Sequence, residues 1–262
     1  MQRLNHLVTG EGEPLLLVHG MGSASTAWKP VRNLLESKFT VITVDLPGHG
    51  ETPFIEGAAM DPHSLALAVL YEMSELGIES FHLAGNSLGG WVALEMASTA
   101  PSRVKSVTGL APAGLWLNPY NVRYPATALA RFLARTTMKL APTALHFEAA
   151  RKLGFWDISP RWQEFSYELC LDAVNALGKA DGYYPAWDGM LMKRFDGKIP
   201  EEIPVTIIFG DTDRTLPATT CQERSIAPAH AKWIIFPDTG HAPMWDSPLD
   251  VVAAIEETAL VR

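Results

Sequence analysis

The chain has 262 residues, 47% of them apolar and 19% charged, and a formal net charge of −8. That length buries one sizeable core, as one large α/β domain or as a domain carrying an insertion. The acidic balance, with no basic cluster larger than Lys193-Arg194, speaks against a grip on nucleic-acid phosphates.

Leu15 to Val18 is the first continuously apolar run, closed by His19-Gly20, and reads as a strand buried on both faces. Phe39 to Val44 is a second, rich in β-branched residues and ending in Asp45-Leu46-Pro47-Gly48. Phe81 to Ala84, Val104 to Leu110, Val205 to Phe209 and Trp233 to Phe236 complete a set of predicted strands. Between them, Trp28 to Ser37, Ser64 to Leu76 and Ser87 to Ala100 carry apolar residues three and four apart, and the last stops at Pro101. Strands alternating with helices predict an α/β fold, a doubly wound and mostly parallel sheet covered on both faces. From Leu115 to Arg194 no strand-like run occurs, although Trp116, Trp156, Trp162 and Trp187 lie there. This stretch reads as a helical insertion between two strands of the sheet.

Gly85-Asn86-Ser87-Leu88-Gly89 has the pattern G-x-S-x-G, directly after a predicted strand and before a predicted helix. A serine on such a sharp turn sits in a strained backbone conformation with its oxygen held out from the sheet. Side chains two residues to either side would meet backbone, which explains both glycines. A serine hydroxyl needs a neighbouring base, and downstream of Ser87 the histidines are His146, His230 and His241. His146 lies in the insertion and His230 precedes the last predicted strand. His241 follows that strand in Asp238-Thr239-Gly240-His241-Ala242-Pro243, at the edge where catalytic groups of open α/β sheets gather. It is the preferred base.

Two aspartates compete to orient it, in Gly210-Asp211-Thr212-Asp213 after the fifth predicted strand. Asp211 can simply cap a turn, whereas Asp213 stands deeper in the loop. His19-Gly20-Met21-Gly22 follows the first strand, and two backbone N–H groups, of Met21 and Leu88, are the candidate oxyanion donors. His19 itself reads as a structural hydrogen-bonding residue.

Taken together, His19-Gly20-Met21-Gly22, Asp45-Leu46-Pro47-Gly48-His49-Gly50, Gly85-Asn86-Ser87-Leu88-Gly89-Gly90, Gly210-Asp211-Thr212-Asp213 and Gly240-His241-Ala242-Pro243 resemble the α/β-hydrolase superfamily over nearly the whole chain. The resemblance implies a catalytic triad of Ser87, Asp213 and His241, its acid three residues after the glycine. It also implies a core domain of residues 1–114 and 195–262 with a helical cap over 115–194. Haloalkane dehalogenases and epoxide hydrolases place aspartate at the nucleophile, whereas esterases, lactonases, cofactor-free perhydrolases and carbon–carbon bond hydrolases use serine. Asn86 before Ser87, and Trp245 after His241, are similar to hydrolases that cleave carbon–carbon bonds of aromatic meta-cleavage products. The sequence Met21-Gly22-Ser23-Ala24-Ser25 departs from the Gly-x-Gly-Pro-Gly usual in that group and favours ester cleavage. A non-catalytic binding homologue is the alternative of a different class. Gly20, Gly22, Asn86 and Trp245 are the expected substrate-contacting residues. The cap arginines, Arg123, Arg131, Arg135, Arg151, Arg161 and Arg194, are expected mainly at the surface.

Cys170 and Cys221 fit no metal-ligand spacing, and the N-terminus lacks the long apolar run of a signal peptide. The expectation is a cytoplasmic monomer or homodimer with reduced thiols, using no metal and no organic cofactor. Its expected partner is a small-molecule substrate, with neither nucleic acid nor membrane.

Overall fold

A computed structural model describes residues 2–123 and 125–260, the side chains of 125–128 excepted. Residue 1, residue 124 and residues 261–262, which fall within the expected domain ranges, lie outside the described residues. The strands are β1 (His6–Thr9), β2 (Glu13–Val18), β3 (Phe39–Val44), β4 (Phe81–Asn86), β5 (Val104–Leu110), β6 (Val205–Gly210) and β7 (Lys232–Phe236). The helices are α1 (Lys29–Leu35), α2 (Pro62–Glu75), α3 (Leu88–Thr99), α4 (Pro125–Thr137), α5 (Ala141–Ala144), α6 (Glu148–Phe155), α7 (Tyr167–Lys179), α8 (Tyr183–Met190), α9 (Ala218–Cys221), α10 (Pro243–Asp246) and α11 (Pro248–Leu260).

The strands form one sheet in the order β1-β3-β2-β4-β5-β6-β7. All neighbouring pairs are parallel except β1–β3, which runs antiparallel with His6 opposite Val44. This is the mostly parallel α/β sheet that the alternation of strands and helices predicts, in the α/β-hydrolase arrangement that the resemblance implies. Four elements add to the expected set: the edge strand β1, the short helices α9 and α10, and the C-terminal helix α11.

The apolar runs behave as strands because both faces of the sheet are covered. Leu16, Val18, Ile42 and Val44 join Leu65 and Val69 of α2 and Val92 and Met96 of α3. Leu15, Leu17 and Val41, one residue out of step, join Trp28, Val31 and Leu35 on one side and Val251 and Ile255 of α11. Side chains alternate across a strand, so a period of two serves two cores at once. Each such buried side chain contributes about 1.5–3 kcal/mol.

Between β5 and β6 the chain runs through α4 to α8, then returns to β6 beside β5, with Val107 opposite Val205. Arg131 of α4 departs from the expected surface position and is 3% exposed. Its guanidinium donates to Gly178 O at 2.7 Å and to Ala180 O at 2.7 and 3.1 Å. The last carbonyls of α7 lack partners within their own helix, and the arginine supplies them. Among the described residues no helix is long and apolar enough to cross a membrane.

Candidate active site

Parallel strands of this sheet deliver their carboxyl ends to one edge, and the sequence landmarks collect there. β4 ends at Asn86, and Ser87 makes the turn into α3 with φ 55° and ψ −117°. A non-glycine residue in such a region stores about 1–3 kcal/mol of strain unless its surroundings hold it. Here they do: the Ser87 N–H donates to Leu110 O at 2.9 Å, and the Ser87 carbonyl accepts from Ala113, Gly90 and Trp91 at 2.9, 3.0 and 3.2 Å. The flanking glycines are sites of backbone contact. A Cβ on Gly85 would lie 2.2 Å from Gly89 O, and one on Gly89 2.1 Å from Val18 O. Neither obstacle is a movable side chain. Gly89→Ala is therefore expected to lower stability by more than about 3 kcal/mol, read as a fall in the urea midpoint with an unchanged slope.

The loop after β2 faces this turn. Gly20 packs on the nucleophile residue, where a Cβ would lie 3.1 Å from Ser87 Cβ and 3.3 Å from Asn86 Oδ1. Its carbonyl accepts from Ser23 N–H at 3.2 Å and from His19 Nδ1 at 2.7 Å. Leu46 N–H donates to His19 Nε2 at 3.0 Å, so the ring proton sits on Nδ1 and the ring is neutral. Burial, the dominant influence, holds His19 below its ordinary range, in keeping with that tautomer. His49, its ring centroid 5.5 Å from that of His19, is pushed down to about 3 by burial and by His19. Neither histidine is poised to take a proton. Gly22 has φ 71°, where a Cβ would also strike Leu177 and Tyr183 of the helical segment at 2.7 and 2.9 Å. The N–H groups of Met21 and Leu88 have no acceptor among the described residues.

Asp213 and His241 meet across the ends of β6 and β7. His241 Nδ1 donates to Asp213 Oδ2 at 2.9 Å, and Asp213 Oδ1 accepts from Thr215 and Leu216 N–H at 2.9 and 2.8 Å. Burial alone would raise the Asp213 carboxyl; the His241 ring and the two N–H groups outweigh it and hold it below its ordinary value. Asp211 is exposed, and among the described residues its carboxylate accepts only from Thr239 N–H, at 3.3 Å, which leaves it a turn-capping part. Of the other two histidines, His146 stacks on Tyr167 at 4.7 Å, and His230 bonds Ile203 O at 3.0 Å, both away from the sheet edge.

The backbone of His241 is clamped from two sides. Its N–H donates to Ile158 O of the helical segment at 2.8 Å, and its carbonyl accepts from Asn86 Nδ2 at 3.0 Å. Asn86 gives its other amide hydrogen to Leu110 O at 3.1 Å, so it ties the end of β4 to the histidine loop. The Ser87 hydroxyl makes no hydrogen bond among the described residues; such contacts are often long before substrate binds. Trp245 stands back from this cluster. Its Nε1 donates to Ala27 O at 2.9 Å, and its ring meets Phe165 edge-on at 5.6 Å. It lines a cavity of about 530 Å³ together with Lys29, Arg161, Phe165 and Pro248.

Asp246 has no sequence motif to mark it. Its Oδ2 accepts from Gly240 N–H at 2.7 Å, and its Oδ1 accepts from the Ser159 hydroxyl, so one carboxyl joins the histidine loop to the helical segment. Burial raises the Asp246 carboxyl, against the Ser159 and Gly240 donors that favour its charged form. Its contribution to stability is therefore complete below the ordinary carboxylate range and weakens as pH rises through the raised value. Asp246→Ala leaves the Gly240 N–H and the Ser159 hydroxyl without their acceptor. It is expected to lower stability by about 1–3 kcal/mol, visible as a lower melting temperature together with a loss of turnover.

A serine at a strained strand-to-helix turn, with an aspartate–histidine pair at the same sheet edge, defines an α/β-type hydrolase site. Residues 15–255 match the alpha/beta hydrolase family, and the chain belongs to it. It is 28% identical over 259 residues to the dihydrolipoyllysine-residue acetyltransferase component of the acetoin cleaving system of Cupriavidus necator. That match covers 95% of this chain, which spans only 64% of the relative's length. It is 28% identical over 241 residues to the pimeloyl-[acyl-carrier protein] methyl ester esterase of Legionella pneumophila, covering 89% of this chain and 90% of that protein. Among solved structures, a thermophilic esterase from Thermogutta terrifontis superposes with a TM-score of 0.73 at 24% identity, covering 97% of this chain and 92% of that one. At that identity the likeness is one of fold.

Proposed function

We propose that the chain is a serine hydrolase that cleaves carboxylic esters of small to medium apolar substrates through an acyl-enzyme. The observation that carries this reading is the His241–Asp213 hydrogen bond of 2.9 Å at the sheet edge where Ser87 is held at φ 55°. His241 Nδ1 gives its hydrogen to Asp213, which leaves Nε2 to accept a proton. In the proposed cycle His241 removes the hydroxyl proton as Ser87 attacks the ester carbonyl, and Asp213 stabilises the imidazolium. The N–H groups of Met21 and Leu88, which have no other acceptor among the described residues, receive the developing oxyanion. The alcohol leaves with the proton from His241, and water attacks the acyl-enzyme by the same base to restore the serine.

The helical segment of residues 115–194 serves as the cap over this site. It reaches the oxyanion loop through Leu177 and Tyr183, the loop after β3 through Gly182, and the histidine loop through Ile158. The name of the Legionella relative, a methyl ester esterase, agrees with ester cleavage. Asn86 and Trp245 point to carbon–carbon cleavage only by resemblance, and both make the structural hydrogen bonds described above.

The test is hydrolysis of p-nitrophenyl esters from acetate to decanoate by the wild type and Ser87→Ala. Turnover in the wild type that vanishes in the variant supports the reading, and the chain-length profile sizes the acyl pocket. Absence of turnover in both, with cleavage of a vinylogous diketo acid by the wild type alone, would replace it with carbon–carbon hydrolysis.

A further inference from the structure

Helix α4 is turned the wrong way for a helix whose only task is to pack on its own protein. Leu129, Phe132, Leu133 and Thr136 are three and four apart and share one face. That face is open to solvent, with Leu129 59%, Phe132 61% and Leu133 39% exposed. Leu140, just past the helix, is 64% exposed. The opposite face, toward α7, carries Arg131 and Ala134 at 3% and 8% exposure. An amphipathic helix normally buries its leucines and phenylalanines and shows its arginine to water. Here the pattern is inverted, and contiguous exposed apolar surface of this kind marks a docking face.

Charge indicates what docks. The chain as a whole carries −8, yet besides the buried Arg131 residues 125–156 hold four basic side chains, Arg135, Lys139, Arg151 and Lys152, against the single acid Glu148. Arg135 and Lys139 follow the apolar stripe and stand exposed beside it; Arg135 reaches Asp181 at 3.1 Å across open surface, where such a pair is weak. Phe147 and Leu153, further along the same segment, are 65% and 74% exposed. Apolar side chains interleaved with lysine and arginine are the composition of a surface that settles on anionic lipid, the apolar groups entering the acyl boundary and the cations facing headgroups. A second copy is a poorer occupant, since a two-fold contact sets the same basic segment against itself.

We propose that the outward face of α4, with Leu140 and the flanking cations, seats this protein on an anionic lipid surface. The seat is peripheral and reversible. It departs from the sequence expectation of no membrane partner, which rests on the lack of a long apolar run and takes no account of surface charge. That measure does not register one inverted helix. The inference does not depend on the ester reading, because its test measures binding rather than turnover.

The test is flotation of the full chain with vesicles of phosphatidylcholine and phosphatidylglycerol, beside vesicles of phosphatidylcholine alone. Binding is expected to the anionic vesicles only and to weaken as salt is raised. Phe132→Ser with Leu133→Ser is expected to lower partitioning by about tenfold or more. Lys139→Glu is expected to lower it by about fivefold or more. These side chains are exposed, so unchanged melting curves serve as the folding control. No binding to anionic vesicles, equal binding to neutral ones, or binding indifferent to these substitutions would overturn the proposal. So would a concentration-dependent dimer that the Phe132→Ser and Leu133→Ser pair dissolves.

Discussion

Ser87→Ala is expected to lower kcat on p-nitrophenyl esters by about 10⁴- to 10⁶-fold while leaving the melting temperature within the error of measurement. The two halves of that expectation come from different atoms. Stability at this turn rests on the backbone, whose N–H and carbonyl bonds to Leu110, Ala113, Gly90 and Trp91 remain in the variant. Alanine keeps the Cβ and inherits the same φ of 55°, so the strain neither grows nor disappears. Chemistry rests on the hydroxyl alone, which joins none of those bonds. The activity that remains reports what the oxyanion donors and binding do without a nucleophile. A thermal melt and a full rate profile on the same preparation separate the two effects.

Asp213→Asn is expected to lower kcat by about 10⁴-fold, whereas Asp211→Asn changes it by less than about threefold. Asn at 213 can present an N–H to His241 Nδ1, which drives the ring proton to Nε2, where it blocks acceptance of the serine proton. The Asp211 carboxylate accepts from the Thr239 N–H, at 3.3 Å, and has no such lever on His241. The pH dependence carries an independent signature. The Asp213 carboxyl lies below its ordinary value in the folded chain, so its share of stability is present above that ordinary value and is lost as pH falls through the folded one. The asparagine variant lacks that component. Its stability is expected to decline less steeply than the wild type's on the acid side, measured as urea midpoints across the acid range.

The parts of the site that are legible in the sequence are those where backbone presses on backbone. Gly85, Gly89 and Gly210 leave no room for a Cβ, and at Gly210 one would lie 2.0 Å from Thr239 O. Such positions admit only glycine, so the motif survives as a readable string around Ser87 and beside Asp213. The central strands are legible for a related reason, since burial on both faces demands unbroken apolar runs such as Leu15 to Val18. Strand β1 is not, because it lies at the sheet edge with Leu7 and Val8 each 43% exposed. Helix α11, with Val251, Ala254 and Ile255 turned inward after Pro248, is likewise missing from the expected elements. The clamp on His241 is of another kind. Ile158, Ser159 and Asp246 act through contacts that span more than eighty residues or rely on a backbone carbonyl, and neither leaves a local pattern. The inward turn of Arg131 is hidden likewise, because its partners are carbonyls of α7.

The most direct measurement is the intact mass of the protein after exposure to a fluorophosphonate, with the adduct located by peptide mapping, for the wild type and Ser87→Ala. The account predicts one phosphonyl group per chain, carried on Ser87, and an unmodified variant. A wild type that stays unmodified although folded, or an adduct that persists in Ser87→Ala, would contradict it.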